Sequence, residues 1–220
     1  MTRAVPIRSR PDRGPSAGHP PITVVPATPD RWPDVAAIVG GPGVWGCWCQ
    51  YYRWSAGDFS RLGPGGGETA LRRQLAGDPP PGLLAYLDGE PVGWCGLGPR
   101  SRLERLVRSR TIPRADDRPV WSIVCFIVRP GMRRRGIARA LLDGAVAYAR
   151  DAGAVGLEGY PVDPEGARLQ TAALYVGTTS MFEAAGFTRV LMTAARSDHR
   201  PRWLMRLEFK PAPSAAAAPG

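Results

Sequence analysis

The segment that most constrains the fold runs from Trp121 to Gly153 and joins an apolar strand to an amphipathic helix. Ser122 to Val128 is apolar after its first residue, which predicts a strand buried on both faces. Pro130-Gly131 predicts a turn, and Gly153 a C-cap for the helix that follows. The apolar positions expected on one face of that helix are Ile137, Leu141, Ala145, Tyr148 and Ala152.

The start of this helix is predicted to bind an anion. The first turn of an α-helix leaves N–H groups without acceptors and carries the positive end of the helix dipole, so a phosphate binds there readily. Gly136 and Ala138 are small enough to admit a close ligand, and the adjacent arginines offer charge-assisted hydrogen bonds. An ordinary solvated helix is the alternative, but the buried strand before it and the strand predicted at Ala154 to Tyr160 favour the binding site.

The pattern Arg133-x-x-Gly136-x-Ala138 resembles the Gln/Arg-x-x-Gly-x-Gly/Ala signature with which the GNAT superfamily of acyl-CoA-dependent N-acyltransferases binds coenzyme A. The resemblance extends over about residues 22–209 and implies an α/β fold. It implies a mixed, mostly antiparallel sheet of about six or seven strands, about four flanking helices, and one parallel, splayed strand pair that holds the cofactor. It also implies acetyl-CoA as acyl donor, bound by Phe126, Ile127, Val128, Arg133, Arg134, Arg135, Gly136, Ile137, Ala138, Arg139 and Phe182.

Length and composition predict one domain. The chain has 220 residues, enough for one sizeable core. Residues 1–21 are rich in arginine and proline and residues 210–220 in proline and alanine, so both ends are expected to be disordered tails around a domain at 22–209. The net charge of +10 comes almost entirely from arginine, and the cofactor site and the first tail account for much of it, so a nucleic-acid partner is not expected.

The remaining composition predicts a metal-free, cytoplasmic protein, monomeric or homodimeric. The cysteines at 47, 49, 95 and 125 form no paired C-x-x-C motifs, and the two histidines lie far from them, which argues against zinc. No apolar run approaches the roughly 20 residues that span a bilayer, and no secretory h-region is present.

Local patterns predict the other elements of the domain. Thr28-Pro29-Asp30 is expected to cap a helix reaching about Val39, and a Ser-x-x-Glu capping box at Ser180 is expected to open a short last helix. A helix is expected near 68–75, a hairpin from 83–87 and 92–97, a first strand at 22–27, and closing strands at 187–193 and 202–209.

Val44 to Trp54 is the densest aromatic stretch and is expected to face the acceptor substrate. The predicted pocket residues are Trp45, Trp48, Tyr51 and, from the strand beside the cofactor, Tyr160. Packing in the core is the alternative for each of them. A redox pair of Cys47 and Cys49 is disfavoured because cysteines so close in sequence form a strained bridge.

The resemblance also raises the question of the catalytic acid and base. Relatives commonly protonate the departing thiolate with a tyrosine of the last helix, and Phe182 stands in its place. Tyr175 or Ser180 is the candidate substitute, although a packed tyrosine and a helix cap are the alternatives. Glu158 is the candidate base because it lies in an apolar strand, and a structural ion pair is its alternative.

The leading functional hypothesis is an enzyme, an acetyl-CoA-dependent N-acetyltransferase acting by direct attack of a primary amine of a small molecule or a protein lysine. Cys125 is expected to be an inert buried thiol rather than an acyl acceptor. Two alternatives remain: a toxin-type enzyme that acetylates aminoacyl-tRNA, and a coenzyme A-binding regulator with little turnover, which the replacement at Phe182 makes conceivable.

Overall fold

The computed structural model describes residues 21–42, 44 and 46–210. The predicted tails therefore lie outside the described residues except for Pro21 and Lys210, as does the predicted pocket residue Trp45. Within the described residues, seven strands form one sheet in the order β1-β2-β3-β4-β5-β7-β6. Their bounds are Thr23–Pro26, Gly82–Leu87, Glu90–Pro99, Trp121–Val128, Gly156–Gly159, Thr188–Ser197 and Arg200–Glu208 for β1 to β7.

Six α-helices accompany the sheet in the described part of the chain. This is more than the about four expected, and the difference comes from three very short helices. Their bounds are Trp32–Val39, Ala56–Arg61, Gly66–Gln74, Glu104–Val107, Ile137–Asp151 and Thr179–Glu183 for α1 to α6. Short 3-10 segments occur at Pro29–Arg31, Arg100–Arg102 and Thr171–Val176. The mixed sheet with one parallel pair confirms the predicted fold class.

The two faces of the sheet carry separate clusters of apolar side chains. On one face, α5 packs Ile137, Leu141 and Ala145 against β2, β3 and β4, as its one-sided pattern predicts. On the other face, Val35 of α1 and Leu71 of α3 pack on Trp94 of β3. Because β4 is covered on both sides, its continuous apolar sequence is the expected one for a central strand.

A β-bulge interrupts β4 near its middle. Gly96 of β3 pairs with Cys125, and the next residue, Leu97, pairs with Ile123, so Val124 has no partner on β3. The bulge turns both Val124 and Cys125 toward the face that carries α1 and α4. Bulges bend the strand and reorient side chains, and they are common beside functional sites.

Two helix starts differ from the predictions. Thr28 makes no side-chain cap at the first turn; its hydroxyl instead accepts a hydrogen bond from Arg31 Nη1 at 3.1 Å. The last helix is capped by Thr178, whose Oγ1 accepts from the Met181 amide at 3.3 Å, and Ser180 lies inside the helix. The predicted capping box at Ser180 is therefore wrong, because the threonine two residues earlier takes the cap position.

Candidate active site

The parallel strands β4 and β5 separate soon after they meet. Trp121 pairs with Leu157 and Ser122 with Glu158, and no later residue of β4 pairs with β5. On its other edge β4 stays paired with β3 as far as Val128. The second half of β4 therefore presents an edge without a strand partner, which opens a gap in the middle of the sheet.

The gap leads to the first turn of α5. Gly136 precedes the helix with φ +81°, and no side chain among the described residues caps the helix. The first intrahelical bond comes from the Ala140 amide to Gly136 O at 2.9 Å, so the amides of Ile137, Ala138 and Arg139 have no helical acceptor. With no acidic residue in its first turn, this helix end is suited to an anion.

The backbone conformation at position 136 explains why the residue there is glycine. A Cβ built there meets nothing within 4 Å, so space within the protein does not require the glycine. Its left-handed conformation does, because L-residues with a side chain adopt it only at a cost. Gly131, with φ +83°, serves the turn in the same way.

One long cleft runs from this turn along β4 to the opposite side of the sheet. Its wall includes nine of the predicted cofactor residues: Phe126, Ile127, Val128, Arg133, Arg134, Gly136, Ile137, Ala138 and Arg139. Arg135 is not in the wall and donates to Met132 Sδ at 3.2 Å. Arg168, which the sequence reasoning missed, joins the wall from the loop after β5.

Phe182 lies behind the cleft and not in its wall. Its side chain is fully buried, and its ring makes edge-to-face contacts with Phe187 and Phe126 at centroid distances of 4.9 and 6.2 Å. The ring also packs so closely on Gly159 that a Cβ built there would overlap Phe182 Cε1. Phe182 thus supports β4 from the core. Contrary to its prediction as a cofactor-binding residue, it does not reach the surface of the cleft.

The aromatic segment contributes to the cleft through Tyr51 and Tyr52, while Trp48 turns away. Trp48 stacks on Trp32 at 5.9 Å and is not in the wall. Tyr51 is 44% exposed and lines the cleft, and its ring meets that of Tyr52 edge-on at 5.0 Å. Tyr160 is buried and outside the wall, with its hydroxyl 2.9 Å from Ser122 Oγ.

Glu158 is held inside the protein by an ion-pair network. Its Oε1 accepts from Arg206 Nη2 at 2.6 Å, and its Oε2 lies 3.6 Å from Arg100 Nε. The Tyr160 hydroxyl donates to the same Oε2 at 3.0 Å. Glu158 is 1% exposed and is not in the cleft wall, so the ion-pair alternative accounts for its position.

Tyr175 is the predicted catalytic residue that the structure brings to the cleft. It comes from the 3-10 segment Thr171–Val176, which packs against β4. Partial burial, together with the neighbouring Tyr52, raises the pKa of its hydroxyl, which therefore keeps its proton at neutral pH. Ser180 lies outside the wall with its Oγ 3.1 Å from Thr178 Oγ1, so it is placed as part of the helix start.

Tyr52 lies in the aromatic segment predicted to face the acceptor but was not named individually, and Arg202 was missed because it comes from a distant segment. Arg202 Nη1 donates to the Tyr52 hydroxyl at 3.2 Å, and its Cζ lies 5.9 Å from the Tyr175 ring centroid. All three side chains line the cleft. Only the folded β7 strand brings Arg202 to the two tyrosines.

Two thiols meet under the floor of the cleft. Cys49 is buried and accepts a hydrogen bond from Trp94 Nε1 at 3.2 Å, and Cys125 lines the cleft above it. Interaction with the Cys125 thiol lowers the pKa of Cys49, and the same interaction together with burial raises the pKa of Cys125. Cys125 therefore holds its proton, as expected of an inert thiol.

The described residues contain neither a metal-binding cluster nor a membrane-spanning helix. No group of three or more histidine, cysteine, aspartate or glutamate side chains is arranged to bind a metal ion within this part of the chain. Among the helices formed by residues 21–42, 44 and 46–210, none is both long and apolar enough to span a membrane.

Comparison with known proteins identifies the family. A family model described as "Acetyltransferase (GNAT) family" matches residues 48–168, more than half of the chain. No curated protein sequence matches the chain. The fold is similar to solved structures of an agmatine N-acetyltransferase variant in its apo form (13% identity, 86% of this chain and 99% of that one, TM-score 0.53) and of a GNAT-family protein from Desulfovibrio desulfuricans (18%, 86% and 99%, 0.50).

At these identities the solved structures show the fold alone, and the family match carries the assignment. The chain belongs to the GNAT acetyltransferase family and is an acyl-CoA-dependent N-acetyltransferase that uses acetyl-CoA as its acyl donor.

Proposed function

We propose that this enzyme transfers the acetyl group of acetyl-CoA directly to a primary amine of a small molecule or a protein lysine. One observation supports the proposal above the others. A single cleft connects an uncapped helix start, which suits a diphosphate, to a wall of tyrosines on the far side of the open edge of β4. Donor and acceptor can therefore meet in one site.

The donor half holds its ligand with backbone and charge. The amides of Ile137, Ala138 and Arg139 donate to the diphosphate, and Arg133 and Arg134 add charge-assisted hydrogen bonds. Phe126, Ile127 and Val128 extend along the same wall and offer the open edge of β4 to the amide groups of the pantetheine arm. Acetyl-CoA supplies the acetyl group as an activated thioester.

The reaction takes place where β4 bends at Val124. Amides on the open edge near the bulge donate to the thioester carbonyl oxygen as negative charge develops on it. The acceptor amine must be neutral to attack, and its proton leaves through water in the open cleft. This route fits the placement of Glu158, which is enclosed by Arg206 and Tyr160 and lies outside the wall.

Tyr175 is proposed to protonate the departing thiolate. It lines the cleft beside β4, in the half that contains Cys125, and its hydroxyl carries a proton at neutral pH. The hydroxyl of Tyr52, which accepts from Arg202 Nη1, lies next to it and orients it. Tyr175 thus takes the role for which Phe182 lacks a hydroxyl.

The test is release of coenzyme A thiol from acetyl-CoA in the presence of a panel of small amines and lysine peptides. Amine-dependent thiol release with mass-spectrometric detection of the acetylated amine is expected. A parallel titration with tRNA distinguishes the aminoacyl-tRNA alternative, which requires tight binding that weakens steeply with salt. Binding of acetyl-CoA without turnover of any acceptor would contradict the proposal and favour a regulator.

We also propose that the enzyme acts in the cytoplasm. The four free thiols fit a reducing compartment, and cell fractionation tests this location.

A further inference from the structure

The acceptor half of the cleft is lined by arginines. Arg105 comes from α4, Arg108 follows that helix directly, Arg196 comes from β6 and Arg202 from β7. All four are in the wall with Tyr51, Tyr52 and Tyr175. Arg108 is paired with Glu104 at 2.8 Å, and Arg196 donates to His199 O at 3.2 Å. Arg105 and Arg202, like Arg196, have no carboxylate partner among the described residues, and these two lie directly against the tyrosines of the wall.

Arg202 is a buried cation that faces the cleft. Arg202 is only 3% exposed. Its Nε donates to Tyr160 O at 2.9 Å and its Nη1 to the Tyr52 hydroxyl at 3.2 Å, while its Nη2 has no acceptor in the described part of the chain. A buried guanidinium held by neutral oxygens keeps an uncompensated positive charge, which an anion in the cleft would offset.

Arg105 provides a second guanidinium, which lies over the ring of Tyr51. Its Cζ lies 4.1 Å from the Tyr51 ring centroid and 5.5 Å from that of Phe59, and its backbone amide donates to Tyr52 O at 3.2 Å. Its Nε is buried without a hydrogen-bond partner among the described residues. Stacking on aromatic rings fixes the plane of the guanidinium and leaves its other donors available to a ligand.

The carboxylates of the described cleft wall lie at the opposite end. They are Asp34 and Glu90. Asp34 accepts from the hydroxyl of Tyr86, which pairs across the hairpin with Pro91, next to Glu90. Glu90 in turn lies 3.8 Å from Arg129, just after the end of β4. The acceptor half is therefore positive, and a polycationic acceptor would find no described counter-charge there.

We propose that the acceptor carries a negatively charged group besides its amine, and that Arg105 and Arg202 bind this group. This inference rests on the proposed function, because it specifies the acceptor of the same reaction. Arg202 lies beside Tyr52 and Tyr175, so an anion bound to it holds the rest of a short acceptor near the bend of β4. Guanidinium groups bind carboxylate and phosphate oxygens in the same way, so negative charge is the shared property.

The inference is tested with four straight-chain primary amines of equal length that end in a carboxylate, a phosphonate, a neutral amide or a second amine. We expect kcat/KM to be at least about tenfold higher for the two anionic acceptors than for the amide, and lowest for the diamine. Calorimetry with the enzyme saturated by coenzyme A measures binding of the same compounds independently of turnover. Carboxylate and phosphonate are compared within the series to separate amino acid-like from phosphate-bearing acceptors.

Variants connect this preference to the two arginines. Arg105→Gln is expected to raise KM for the anionic acceptors about tenfold, and to leave KM for the amide and for acetyl-CoA unchanged. Arg202→Gln should raise KM for the anionic acceptors as well, but Arg202 also holds the hydroxyl of Tyr52 beside the proposed acid, so Arg105→Gln is the decisive variant. Arg61→Gln is the matched control, since Arg61 is an exposed arginine of α2 outside the wall, paired with Asp58 at 2.6 Å.

The outcomes separate this inference from the proposed function. Turnover with equal or better use of the neutral and cationic acceptors would overturn the inference and leave the acetyltransfer intact. Equal loss of anionic preference in Arg105→Gln and Arg61→Gln would also overturn it, because a general charge effect would then explain the preference. Absence of both turnover and anion binding in the presence of coenzyme A would contradict the inference and the proposed function together.

Discussion

Tyr175 is the residue on which the proposed chemistry depends most. Removing its hydroxyl in Tyr175→Phe leaves the thiolate to depart without a proton, and a thiol with pKa near 8.5 can still do so slowly. We expect kcat to fall about 100-fold or less, at the low end of the contribution of general acids, with KM for acetyl-CoA nearly unchanged. Steady-state kinetics with thiol detection measures both.

Tyr148→Phe is the control for this variant. Tyr148 lies on α5 outside the cleft wall, where its ring meets Trp121 edge-on at 5.7 Å. Its loss of a hydroxyl should leave kcat within about twofold of the parent, well below the effect expected of a general acid. Equal rates for Tyr175→Phe and Tyr148→Phe would show that Tyr175 is not the acid.

Glu158→Gln distinguishes a base from a structural ion pair. Because both carboxylate oxygens are occupied by Arg206, Arg100 and Tyr160, we expect the free energy of unfolding to fall by about 3 kcal/mol and the pH profile of kcat to keep its shape. Chemical denaturation and a pH series measure the two quantities. A steep loss of kcat at neutral pH with unchanged stability would instead identify Glu158 as the base.

Glu208→Gln is the matched control for that experiment. Glu208 also contacts Arg206, with its Oε1 3.5 Å from Nη1, but its side chain is 52% exposed. An exposed pair contributes at most about 1 kcal/mol, so this variant should unfold almost like the parent.

Residue by residue, the sequence predicts positions that depend on neighbours in the chain and not those that depend on the fold. Gly136 is recognisable from its local pattern, whereas Tyr52 and Arg202 are 150 positions apart and meet only when β7 forms. Trp48 and Tyr51 belong to one aromatic segment, yet one faces the core and the other the cleft. Composition does not reveal this difference because both residue types suit either environment.

At the scale of single elements, α5 offers a test of the donor site. Gly136→Ala places a side chain on a left-handed residue at the helix start, which costs about 1–2 kcal/mol and shifts the free amides. We expect the dissociation constant for acetyl-CoA to rise about tenfold or more, as measured by calorimetry.

Gly153→Ala is the control at the other end of α5. Gly153 has φ +76°, and a Cβ there also meets nothing within 4 Å, so the backbone cost is similar. It lies outside the cleft wall, and the variant should lose stability while binding acetyl-CoA like the parent. Similar binding by both variants would show that the helix start does not hold the donor.

Element boundaries show where pattern reasoning is sufficient. The apolar run of β4 and the one-sided pattern of α5 are strong signals, and the structure has both elements with the predicted neighbours. The capping box at Ser180 failed because Thr178 offers an equivalent side chain two residues earlier. The bulge at Val124 has no local signature, since it arises from the register between β3 and β4.

For the whole molecule, the network around Arg206 links β7 and β5 to the loop before β4. Asp116 accepts hydrogen bonds from both terminal nitrogens of Arg206, the one from Nη2 at 3.1 Å. These hydrogen bonds lower the pKa of Asp116 below its ordinary value of 3.8. A carboxylate with a lowered pKa stabilises the fold above its unfolded-state pKa, and this contribution disappears as the pH falls through the folded-state value.

We therefore expect Asp116→Asn to lower the melting temperature at neutral pH and to flatten its decline below about pH 4. Asp117→Asn is the control, because Asp117 is 90% exposed and pairs only with Arg114 among the described residues. Scanning calorimetry over a pH series measures both. Identical acid profiles for the two variants would show that the Asp116 pair contributes nothing to stability.

The most direct test of the central claim compares the binding of acetyl-CoA and of acetyl-pantetheine, which lacks the diphosphate and the nucleotide. If the uncapped start of α5 and its arginines bind the diphosphate, calorimetry should show acetyl-CoA binding at least about 100-fold more tightly, with an affinity that falls as salt is added. Equal affinities for the two compounds, or no binding of acetyl-CoA, would contradict this account of the site.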